Sequence, residues 1–277
     1  MAALIRLGHP FPSLLDGAIT AVLALVAGAP GGRAALLGIA MVALQVSIGA
    51  LNDLTDVERD RGHKPAKPLP TGAVGERGAR VIVVAGLVLG LGLSWVAGPA
   101  ALAVAVAGTA TGYAYDLRLK ATAWAWLPFA VGIPLLPVYA WVGGVGRIPA
   151  AFLILLPLAV AAGGAIALLN GLVDVERDRA AGIETPVGRL GPSRARRLAA
   201  VLVGLVAIGV LGSLASIGAE PAAWLIAATG AVLSGIGTWL AGSPRASVRE
   251  RGWEAGAVGL ALLAAGWALG FARAGLI

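Results

Sequence analysis

Asn52-Asp53-Leu54-Thr55-Asp56-Val57-Glu58-Arg59-Asp60-Arg61 and Asn170-Gly171-Leu172-Val173-Asp174-Val175-Glu176-Arg177-Asp178-Arg179 share one spacing, and their last six residues are identical. Each reads Asn-x-x-x-Asp-x-x-x-Asp, and each closes a long apolar segment. Side chains four apart on an α-helix share a face. Each copy is therefore expected to project one amide and two carboxylates from a single stripe. A lone charge run at a helix end usually does no more than form interfacial ion pairs. Two matching copies at the ends of apolar segments point instead to a divalent-cation site.

The surrounding composition is that of a membrane protein. The 277 residues are 58% hydrophobic and 13% charged, with a mean hydropathy of +0.88, whereas soluble domains carry about a quarter charged residues. Apolar runs long enough to span a bilayer recur along the whole chain, at about residues 13–29, 34–52, 79–97, 99–115, 122–142, 150–172, 195–217, 221–241 and 254–273. The stretch after Arg6 reads as the first of these nine spans rather than a cleaved signal. The 41 glycines suggest helices whose backbones approach closely. Pro128, Pro134 and Pro137 are expected to bend or break the fifth span. The absence of cysteine rules out disulfides and thiolate metal sites.

Basic residues orient the spans. With the N-terminus cytoplasmic, only Arg33, Arg147 and Arg273 of the 21 lysines and arginines fall on the far side, as the positive-inside rule requires. Both acidic stripes then lie at the cytoplasmic face, and the C-terminus lies opposite. The net charge of +7 follows from this topology, so nucleic acid is not an expected partner. The stripes close the second and sixth spans, four spans apart. The expected fold is an all-α integral membrane protein of nine transmembrane helices. Two parallel four-helix pseudo-repeats, about residues 13–120 and 121–241, and a last helix at about 254–273 would surround an apolar cavity capped by the metal site. The chain 1–277 reads as a single domain.

Magnesium takes oxygen ligands and is commonly held by one or two carboxylates together with substrate phosphates. Two such stripes suit a diphosphate bridged by Mg²⁺, with lysines and arginines in the following loops neutralising the remaining charge. Lewis-acid assistance to a departing diphosphate is the chemistry this supports. The apolar spans would shelter a hydrocarbon tail and exclude water.

At these residues the chain resembles the UbiA-type superfamily of intramembrane prenyltransferases. Asn52, Asp56 and Asp60 match its first signature. Asp174 and Asp178 match its second, with Asn170 as an echo of the first. Gly182, Thr185, Leu190-Gly191 and Ala195-Arg196 are similar to the stretch after that second signature. Lys67-Pro68-Leu69-Pro70-Thr71-Gly72 resembles an Arg-Pro-hydrophobic-x-x-Gly loop, with a lysine that supplies charge but not a bidentate fork. Tyr115 followed by Lys120 resembles the element ending the fourth helix.

The resemblance implies Mg²⁺-dependent transfer of a polyprenyl group from an isoprenyl diphosphate to a lipophilic acceptor, foremost an aromatic ring or quinone precursor, in the bilayer. Asn52, Asp56, Asp60, Asn170, Asp174 and Asp178 would hold metal, with Asp53 supporting. Lys64, Lys67 and Lys120 would contact diphosphate, and Tyr115 would lie near the allylic carbon. Relatives of this kind serve benzoates, naphthoates, tetrapyrroles and glycerol phosphates alike, so the acceptor stays open. The competing readings are an ion-coupled transporter, which would keep its acids near the midplane, and a non-catalytic lipid-binding protein of the same fold. Asp16 lies inside the first span, where an acid is a functional candidate. His9 and His63 read as interfacial residues rather than metal ligands.

Overall fold

The structure is a computed structural model that describes residues 6–60 and 67–277, and those residues form helices and connecting turns without a strand. Lys64 and His63 lie outside them. In chain order the helices are α1 (Pro10–Val26), α2 (Gly31–Asp60), α3 (Glu76–Ala97), α4 (Pro99–Ala114), α5 (Leu127–Val145), α6 (Phe152–Val173), α7 (Val175–Ala180), α8 (Pro186–Leu190), α9 (Pro192–Ser216), α10 (Pro221–Leu240) and α11 (Ala246–Arg273), with a π-turn at Tyr115–Leu119 after α4. The punctuation is local. Gly98 separates α3 from α4 with φ at 127°, and Gly191 precedes α9 with φ at 77°. Both glycines tolerate what a Cβ would forbid, and the proline that follows each is preset for a first helical turn.

Among the described residues, seven helices (α2, α3, α5, α6, α9, α10 and α11) have the length and apolarity to cross a membrane. The 17-residue α1 is apolar but shorter. Large apolar side chains such as Val84, Val88, Leu153, Ile208, Leu225 and Trp239 are exposed, which suits a hydrocarbon solvent and not water. The fifth span is not broken: α5 runs continuously through Pro134 and Pro137. Pro128 falls in its first turn, where no N–H partner is lost, and membrane helices absorb interior prolines when neighbours satisfy the freed carbonyls.

The chain divides into two compact units, Met1–Leu117 with Leu136–Arg147, and Arg118–Leu135 with Ile148–Ile277. In the first, α2 packs against α1, α3 and α4. Arg33, at the start of α2, donates from Nε to the Gly143 carbonyl at 2.5 Å and from Nη2 to the Ala97 carbonyl. One guanidinium thus satisfies carbonyls at the ends of α3 and α5 that have no N–H of their own. It gathers those helix ends at the end of α2 away from the acidic motif.

In the second unit α6, α9, α10 and α11 pack together, and the α10–α11 seam is built of glycine. A Cβ added at Gly259 would lie 2.6 Å from the Gly230 carbonyl oxygen, and one at Gly237 would lie 2.6 Å from that of Gly252. These are backbone atoms and cannot step aside. Gly259→Ala is therefore expected to push α10 from α11 and cost about 1–3 kcal/mol, seen as a lowered melting temperature in detergent. An unchanged melting temperature would show the seam to be looser than this.

Candidate functional site

The first motif is the last three turns of α2, which stays helical to Asp60. Its acids are buried: Asp53 is 1% exposed, Asp56 5% and Asp60 1%. Each has a cationic neighbour. Arg59 Nη2 donates to Asp56 Oδ2 at 2.8 Å. Lys67, from the loop beyond the motif, places Nζ 2.6 Å from both Asp53 Oδ1 and Asp60 Oδ2. Burial pulls the Lys67 ammonium down, but these two carboxylates more than offset it and raise its pKa above the ordinary lysine value. The loop lysine that the sequence assigns to diphosphate thus stands between two acids of the motif. His9 Nε2 lies 3.0 Å from Asp53 Oδ1, placed there by a left-handed backbone, φ 47°, ahead of α1. His9 is therefore a partner of the motif's flanking acid and not simply an interfacial residue.

Asn52 donates from Nδ2 to Asp116 Oδ1 at 2.7 Å. Asp116 is 3% exposed and sits in the π-turn that carries Tyr115. Sequence reasoning passed over Asp116, although an acid at the end of an apolar span, beside a singled-out tyrosine, was a readable signal. Tyr115 opens this turn and Lys120 follows it, and both are half-buried. Nearby Tyr113 is tied to Ser47, hydroxyl to hydroxyl, at 2.7 Å.

The second motif corrects the single-stripe expectation. α6 stops at Val173, Asp174 takes φ −104° and ψ 9°, and the chain restarts as the six-residue α7. Asn170 thus belongs to one helix and Asp178 to another. Arg249 of α11, 4% exposed, sits at the break. It donates from Nε to the Leu172 carbonyl at 2.6 Å and from Nη2 to that of Val173 at 3.3 Å, and it pairs with Glu176. The carbonyls that the next turn of α6 would have used are taken by a guanidinium. The ring around Asp174 otherwise repeats the first copy: Arg177 pairs with Asp174 as Arg59 does with Asp56. Asn170, Asp174 and Asp178 are all half-buried.

The donor set is all oxygen, which suits Mg²⁺. Asp53 Oδ2 is buried and has no hydrogen-bond partner among the described residues, a costly state for a carboxylate oxygen unless a cation uses it. Among the described residues no three acids or histidines close into a ready-made cage.

The profile of the UbiA prenyltransferase family matches residues 17–255. The chain is 30% identical over 261 residues to a digeranylgeranylglyceryl phosphate synthase of Methanopyrus kandleri, spanning 90% of this chain and 94% of the relative. It is 32% identical over 217 residues to the synthase of the same name from Natronomonas pharaonis, spanning 76% of each. The fold is similar to that of a UbiA homolog from Archaeoglobus fulgidus bound to GPP and Mg²⁺. The TM-score is 0.72 at 19% identity, over 96% of this chain and 99% of that one.

Proposed function

Because the chain belongs to the UbiA prenyltransferase family, we propose that it carries out Mg²⁺-dependent transfer of a prenyl group from an isoprenyl diphosphate to the hydroxyl of a prenylated glyceryl phosphate. The observation that carries this reading is the buried acid cluster at the end of α2, with Asp53 and Asp60 around Lys67, Asp56 on Arg59 and Asp116 on Asn52. The sequence alone favoured an aromatic or quinone-precursor acceptor. Two relatives that match most of this chain are named for a glyceryl phosphate bearing two geranylgeranyl groups, which supports an alcohol acceptor instead.

In this reading Asn52, Asp56 and Asp60, and separately Asn170, Asp174 and Asp178, hold metal, with Asp53 alongside the first set. Bound Mg²⁺ supplies Lewis-acid stabilisation of the leaving diphosphate. Lys67 and Lys120, together with Lys64, neutralise phosphate oxygens, and Lys67 exchanges its carboxylate partners for them. Tyr115 lies beside the allylic carbon. The acceptor oxygen forms its bond to that carbon while the bond to diphosphate breaks, the electron pair leaving with the diphosphate, which also takes the hydroxyl proton. The assignment includes α1 and α4 as spans, nine in all around an apolar cavity. The N-terminus is cytoplasmic, the C-terminus opposite, and the parallel pseudo-repeats form one domain.

The test is binding of geranylgeranyl diphosphate to the full chain in nanodiscs, with Mg²⁺ and with EDTA. Binding that needs Mg²⁺ is expected. No binding of any prenyl diphosphate by folded protein would overturn the reading, and substrate flux without chemistry would favour a transporter.

A further inference from the structure

The polar stripe of α2 does not end at Asn52. Gln45 lies seven residues earlier, which on a helix is about 10 Å further from the acidic end and within about 20° of the same face. Its Nε2 donates to Asp16 Oδ2 of α1 at 2.5 Å. Both side chains are half-buried, so each keeps surface that a ligand can touch. The pair is rigidly mounted. Gly17, next to Asp16, faces Gly38 of α2 so closely that a Cβ on either would lie 2.9 Å from the other's carbonyl oxygen.

The α1–α2 seam thus carries two acids at two depths, and they are treated differently. Asp53, at the end of α2, is flanked by His9 and Lys67. Asp16, deep among apolar residues, has the neutral Gln45 as its only polar partner among the described residues, and no cation. An acid within a span is expensive and is kept where it serves a function. A donor whose diphosphate sits at Asn52, Asp56 and Asp60 directs its allylic carbon toward this depth. The nucleophile must then approach from the side away from the diphosphate.

Resting on the transfer reading above, we infer that Asp16, oriented by Gln45, is the binding group for the acceptor's hydroxyl. The carboxylate accepts a hydrogen bond from the O–H and leaves an oxygen lone pair free to face the allylic carbon. Asp16 is a substrate-binding residue in this scheme, and Gln45 is a positioning residue acting through it. A carboxylate here selects an acceptor that can donate a hydrogen bond and rejects an ether of the same shape.

The rival role is a plain tie between α1 and α2, of the kind amide and carboxyl side chains make between membrane helices. Asp16→Asn separates the two, because an amide still bonds to Gln45 and holds the seam but is a weaker acceptor. The measurement uses full-length protein in nanodiscs with Mg²⁺ and an unreactive thio analogue of geranylgeranyl diphosphate. It compares the affinity for geranylgeranylglyceryl phosphate with that for its O-methyl ether. Wild type is expected to prefer the free hydroxyl by about tenfold or more, and Asp16→Asn and Asp16→Ala by less than about threefold, with donor affinity unchanged. A preference that survives in Asp16→Asn, or one absent from wild type that still binds donor, overturns the inference and leaves the transfer reading standing. Wild type that binds no donor overturns both.

Discussion

Asp56→Ala and Asp174→Ala are each expected to abolish prenyl transfer, a loss of at least about 10³-fold, in protein that still inserts and folds. Each substitution removes a carboxylate from a predicted metal set. Asp56 bonds Arg59, whose side chain is 28% exposed. Asp174 is itself 33% exposed and pairs with Arg177 three residues on. The part-exposed Asp174 pair is worth about 1 kcal/mol or less, so the melting temperature of Asp174→Ala should move little, whereas Asp56 is buried and Asp56→Ala should lower it further by stranding part of the Arg59 charge. Turnover and thermal unfolding measured on the same preparations separate the two effects. Full activity in either variant would remove that aspartate from the metal site.

Arg249→Met should be the most destabilising single change outside the acidic motifs, by about 3 kcal/mol. Arg249 also donates from Nη1 to the carbonyls of Ser243 and Pro244, at 3.0 and 3.1 Å. Its loss therefore strands the buried Leu172 carbonyl at the end of α6 together with part-buried carbonyls at the turn before α11. Methionine keeps the bulk of the stem, so the change measures the lost donors more than lost packing. Donor affinity should fall as well, since the break that sets Asp174 apart from α6 would no longer be held. Arg249→Lys should recover little, because an ammonium cannot span these acceptors as a planar fork does. Wild-type melting in Arg249→Met would mean that the break is held by the local chain alone.

The apolar helices and the two acidic motifs at their ends were legible because they depend on local pattern. A run of apolar residues long enough for the bilayer must become a helix, since no water is present to satisfy an open backbone. Carboxylates four apart on such a helix share a face. The close helix seam was also announced by glycine content, and the structure places that closeness at Gly230 and Gly259. What escaped are contacts between residues far apart in sequence. Asp116 meets Asn52 across 64 positions, and His9 meets Asp53 across 44; neither spacing leaves a periodic trace.

The two copies of Asp-Val-Glu-Arg-Asp-Arg divide most clearly what each level determines. Their letters are the same, so local propensity and the local Asp–Arg pair are the same, and the sequence by itself established both as metal-binding candidates at helix ends. One copy nevertheless continues its helix to Asp60, while the other breaks at Asp174. The six shared residues by themselves cannot encode that difference. At the broken copy Arg249, 77 residues beyond Leu172, gives its guanidinium to the carbonyl that the helix would otherwise have spent on its own next turn.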